Sequence, residues 1–66
     1  MAVIKVIELL AQSERSWEDA AQVAINAAAK SVRNIKAIYI ENLQGVVEDQ
    51  KIVEYRVDAK VSFVVE

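Results

Sequence analysis

From Ile52 to Glu66 the side chains alternate without a break, with Val53, Tyr55, Val57, Ala59, Val61, Phe63 and Val65 on one face and Glu54, Arg56, Asp58, Lys60 and Ser62 on the other. A period of two sustained over fifteen residues specifies a half-buried β-strand. At about 3.3 Å per residue such a strand spans roughly 50 Å. That length outruns what the rest of a 66-residue chain can cover.

The remaining elements follow from the same kind of reading. Between Trp17 and about Arg33 the positions Trp17, Ala20, Ala21, Ala24, Ala27, Ala28 and Val32 recur at helical spacing, while Glu18, Gln22, Asn26 and Lys30 fall elsewhere. Alanine favours the helix intrinsically, and its small side chain lets a helix lie close against a sheet. Ser16, followed three residues later by Asp19, resembles a capping box with Asp in place of the usual Glu. Glu18 and Asp19 at the start, with Lys30 and Arg33 at the end, suit the helix dipole. Ala2 to Leu10 reads as a first strand, Ala11 to Arg15 as a turn, and Ile35 to Leu43 as a second strand. Gly45 is expected to form a bend or bulge where a positive φ is free of strain, and Glu48, Asp49, Gln50 and Lys51 a polar turn.

The expectation is an α+β fold in the order β-α-β-β, with one helix packed on a three-stranded antiparallel sheet. With no Pro, no repeat and no low-complexity stretch, residues 1–66 form a single domain. A helix of about seventeen residues covers only some 25 Å, so the last strand overhangs its own subunit and leaves edges that a symmetry copy would pair. Composition points the same way. A chain this short usually adds disulfides, a structural metal or oligomerisation, and the absence of Cys and His removes crosslinks and the usual zinc ligands. A hydrophobic fraction of 55% is large for so little interior.

Other classes are disfavoured. The net charge is −2, and Lys and Arg are scattered singly, so no basic stripe invites nucleic acid. Met1 to Leu10 is apolar but short and carries Lys5 and Glu8, which predicts neither a signal peptide nor a membrane span and a cytoplasmic protein. Without His, Cys or a glycine-rich phosphate loop, and with no carboxylate pair singled out by spacing, the chain is not expected to be an enzyme.

The order strand, helix, strand, long strand, together with Lys5-Val6-Ile7-Glu8-Leu9, the Ser13 to Ser16 loop before Trp17, Asn34-Ile35, Gly45, and Tyr55 through Val61 to Phe63, resembles the dodecin family over nearly the whole chain. That resemblance implies a hollow homo-dodecamer. In most members it also implies paired flavins (FMN or riboflavin) in sites shared between subunits, with roles in storage and protection. In the flavin-binding type a Trp on the second strand stacks on the ring, and a Gln on the third strand bonds its edge. The corresponding residues here are Ala37 and Arg56. With no Trp at that position, the chain resembles the calcium dodecin type more than the flavin type.

Two functions fit these residues. The first is a homo-oligomeric carrier or store for a small molecule, its flavin-type site modified around Ala37, Gln44 and Arg56, with Tyr39 as a replacement aromatic face. The second is a structural or calcium-sequestering shell that binds no flavin, for which Glu41, Glu48 and Asp49, and the pair Glu18 with Asp19, are the carboxylate candidates, although none has a calcium-loop spacing. An isolated small domain with a partner protein on its sheet edge is a third reading. Trp17 and Tyr55 are expected to be structural, and Arg56, between Glu54 and Asp58, either joins a charge ladder with Lys60 across strands or subunits or grips a ligand phosphate or carboxylate.

Overall fold

Strand β1 (Val3–Ser13), helix α1 (Trp17–Ala28), strand β2 (Ile35–Glu48) and strand β3 (Lys51–Val65) follow one another in a computed structural model that describes residues 2–65. The sheet order is β1-β3-β2 with both pairings antiparallel, so the long alternating strand lies in the middle. Glu66, assigned above to the last strand, lies outside the described residues.

The helix begins where the capping pattern puts it. Ser16 Oγ accepts a hydrogen bond from Asp19 N at 2.9 Å, satisfying one of the free donors of the first turn. The Asp19 side chain does not close the box. It accepts instead from Ser13 Oγ at 2.6 Å, and Ser13 Oγ in turn accepts from Arg15 N at 2.9 Å. This local bonding explains why β1 does not end at Leu10: Gln12 and Ser13 are polar, yet each finds a partner while staying on the strand, opposite Arg56 and Tyr55.

The helix is shorter than its alanine pattern implies, and Lys30 and Arg33 lie beyond it, so no basic residue sits in its last turn. Buried residues Ala20, Ala24 and Ala28 mark the face held against the sheet. Past Ala28 the chain is exposed as far as Asn34 except at half-buried Val32, so little apolar burial sustains further turns. It tightens through Lys30 N to Ala27 O and Ser31 N to Ala28 O, then Asn34 at φ 62° turns it into β2.

The expected bend at Gly45 is absent. Gly45 has no positive φ and pairs with Tyr55 in the middle of β2, which runs on to Glu48. The left-handed residues are Asp49 (φ 51°) and Gln50 (φ 66°), which form the two-residue hairpin loop between β2 and β3. The register shifts fall at Ile35/Ala37, Ile40/Asn42 and Val46/Val47.

The core is the contact of Ala20 with Val57 and Ala59, flanked by Ala11, Trp17, Ile38 and Ile40. Trp17 meets Tyr55 edge to face at 4.8 Å, and its Nε1 donates to the Gln44 carbonyl at 3.0 Å, tying the start of the helix to β2. Twelve helical residues reach about 18 Å, against a molecule 51 Å long. The accessible surface is 5040 Å², whereas a compact monomer of 7.4 kDa exposes about 4,200 Å². Val3, Ile4, Val6, Leu10, Leu43, Val47 and Ile52 are among the exposed apolar side chains. Among the described residues no helix is long and apolar enough to cross a membrane.

Candidate functional site

The helix covers one face of the sheet and leaves the other open. On the open face antiparallel pairing lines up residues from all three strands in rows. The rows are Gln12–Arg56–Gln44, Leu10–Asp58–Asn42, Glu8–Lys60–Tyr39 and Val6–Ser62–Ala37. Directly opposed side chains in such rows lie about 5 Å apart at Cβ, within reach of one another.

In the first row Arg56 Nε donates to Gln12 Oε1 at 2.8 Å. Among the described residues of one subunit Arg56 makes no ion pair with Glu54 or Asp58: its Nε donates to Gln12, and Lys60 pairs with Glu41 at 2.5 Å. At the far end Ala37 is exposed and its carbonyl accepts from Ser62 Oγ at 3.5 Å, while Tyr39, 65% exposed, stands one row nearer. Arg56 faces Gln44 and Ser62 faces Ala37, so six β3 residues, roughly 20 Å, separate the two ends. Gln44 and Arg56 are neighbours within one subunit; Ala37 is not part of that group.

Between the ends lies a carboxylate cluster. Glu8, Glu41 and Asp58 each present an oxygen, all within 4.8 Å of one another. Glu41 is the extra residue at the Ile40/Asn42 shift, which brings it to Lys60. A hydrogen bond with Asp58, followed by repulsion from the same carboxylate, raises the Glu8 carboxyl above the usual range. Lys60 is raised by its hydrogen bond to Glu41 and by that charge. A carboxyl whose folded-state pKa is raised contributes stability that is complete below its unfolded value and lost as pH rises through the folded one. Glu8→Gln is therefore expected to raise the thermal midpoint at neutral pH and to lose that advantage near pH 4, measured at fixed protein concentration. An advantage that persisted unchanged in acid would show that the Glu8–Asp58 contact is not the cause.

Of the carboxylates weighed from sequence, only Glu41 joins this cluster. Glu48 pairs with Lys51 at the hairpin and Asp49 is in its loop, while Asp58 stands seven residues along β3, roughly 23 Å away. Asp19 is committed to the helix start, and Glu18 borders an open apolar cleft of about 290 Å³ on the helix side, lined also by Trp17, Ala21, Ile40, Leu43 and Val57. Sequence reasoning missed Glu8, Asp58 and Gln12 as site residues. They come together only through the register of β1 on β3, and no spacing along the chain announces it.

The dodecin family model matches residues 3–66. This chain belongs to the dodecin family. It is 35% identical over 63 residues to the calcium dodecin of Mycobacterium tuberculosis, covering 96% of this chain and 89% of that one. A variant of the Thermus thermophilus dodecin superposes with a TM-score of 0.94 at 30% identity, covering all of this chain and 98% of that one. The calcium dodecin structure, that of a calcium-chelating immunodominant antigen with a novel calcium-binding site, superposes at 0.83 with 33% identity, covering 97% and 91% of the two chains. Dodecins are small binding and storage proteins that form homo-oligomers.

Proposed function

We propose that the chain is the subunit of a hollow homo-oligomer, twelve copies in the dodecin manner, that binds and stores a small molecule on the open face of its sheet. The observation that carries this reading is the division of that face: Gln12, Arg56 and Gln44 form one row, and Ala37 lies about 20 Å away with Tyr39 one row nearer. A complete site then takes one end from each of two copies. The excess surface and the exposed Leu10, Val6 and Leu43 fit such an assembly.

The residues present do not fit a flavin held in the usual way. Ala37 offers no stacking surface where the flavin type has Trp, a loss on the order of 1 kcal/mol per contact beyond buried area. Arg56 presents only donors where Gln offers a donor and an acceptor. Tyr39 is the aromatic group left on that side.

A second reading, divalent-cation sequestration, is favoured by Glu8, Glu41 and Asp58 lying within 4.8 Å of one another and by the 35% identity to a calcium dodecin. Carboxylate oxygens suit calcium, which takes six to eight of them. The Lys60 ammonium on Glu41 would have to give way, and waters or a second copy would supply the remaining ligands.

Native mass spectrometry of the purified protein tests both readings, because subunit number and retained mass are read together. A dodecamer holding an organic ligand supports the first reading, and one that gains only calcium supports the second. A monomer sinks both. Ala37→Trp is expected to create or strengthen riboflavin binding, followed by quenching of the flavin emission. No quenching in an intact oligomer would count against a surviving pocket.

A further inference from the structure

The Gln12–Arg56–Gln44 row holds a cation that forms no ion pair among the described residues. A guanidinium stays charged at any ordinary pH and carries five N–H donors in a planar fork. Its Nε is taken by Gln12 Oε1 at 2.8 Å, which sets the plane of the fork and leaves both Nη groups outside that contact. Among the described residues the one ion pair is Lys60 with Glu41. Asp58, next to Arg56 on this face, lies in the cluster with Glu8 and Glu41, and Glu54, on the other side, stands opposite Val46. Gln12 has spent its oxygen as an acceptor, so its amide adds donors, and Gln44 brings a second amide on the other flank.

We propose that this row is an oxyanion-recognition element, and that the ligand is a small compound bearing a carboxylate or phosphate gripped in one plane by the Nη groups of Arg56. This rests on the open face being the binding surface and adds the chemical class of what it binds. A carboxylate or phosphate matches the fork with two parallel charge-assisted hydrogen bonds. A neutral ring edge would leave the Nη donors without the charge their fork matches.

The test is isothermal titration of the assembled protein at low ionic strength with inorganic phosphate and, separately, succinate. At least one is expected to bind saturably, and Arg56→Gln to weaken it by about tenfold or more. Lys51→Gln, which removes the same charge at the hairpin, is expected to change it little, and Arg56→Lys to give an intermediate loss because the charge remains without the fork. Absence of saturable binding by either probe overturns the proposal, as does equal binding by Arg56→Gln. Collapse of the oligomer mass in Arg56→Gln also overturns it, since the guanidinium would then serve a subunit contact. The double variant Ala37→Trp, Arg56→Gln with riboflavin separates the two levels. Riboflavin binding there, with no anion binding by the unmodified protein, overturns the anion class alone; failure of both removes the open face as a binding surface.

Discussion

Trp17→Ala is expected to leave the subunit largely unfolded, with loss of far-ultraviolet circular dichroism at 37 °C and of the oligomer mass. Three things go at once: the edge-to-face contact with Tyr55 at 4.8 Å, the hydrogen bond to the Gln44 carbonyl, and the packing against Ala20, Val57 and Ala59. Removing a large aromatic from a core costs about 3–5 kcal/mol, and a chain of this length holds only some 3–10 kcal/mol at roughly 0.05–0.15 kcal/mol per residue. Trp17→Phe should retain most of the packing and lose about 1 kcal/mol for the missing donor. If Trp17→Ala melted within a few degrees of the unmodified protein, the helix would be anchored elsewhere, and the cleft beside Trp17 would not be a structural joint.

Ala20→Leu should be nearly as damaging, for the opposite reason. Ala20 is fully buried between Val57 and Ala59, and its methyl sets how closely the helix approaches the sheet. Extra carbons there force the helix away or the side chains off their rotamers, at about 1–3 kcal/mol. Adding Val57→Ala makes room on the sheet side, so the double variant should recover part of the loss in a denaturant titration at fixed protein concentration. A single variant as stable as the original would mean that the helix rides on the sheet loosely, and that the run Ala20, Ala24, Ala28 reflects helix propensity alone.

Much of the fold was legible because periodicity is local. The β3 alternation, the helix start at Ser16 and Trp17, and the β-α-β-β order can be read from neighbours a few residues apart, and each is found in the structure. The boundaries were less legible because they depend on what lies across the space. Gln12 and Ser13 look like a turn until Arg56 and Asp19 are there to receive them. Ala29 to Arg33 look helical, yet all but Val32 are exposed and the helix stops at Ala28. Gly45 looks like a hinge, yet it pairs with Tyr55, and a Cβ there would meet Ile52 only at an ordinary 3.5 Å.

The candidate site divides along the same line. Ala37, Tyr39, Gln44 and Arg56 could be named from the resemblance, whereas Gln12 at Arg56 and the Glu8, Glu41, Asp58 cluster could not. By itself the sequence determined the element order, the inward face of β3 and a helix narrow enough to lie close, because alternation and helical spacing are properties of consecutive residues. Tertiary structure alone decided which residues share a row and that Ala37 and Arg56 stand six β3 positions, roughly 20 Å, apart in one subunit. Strand register is a relation between residues more than forty positions apart, as in Gln12 with Arg56, and it is settled by which side chains must face the helix, not by any local preference.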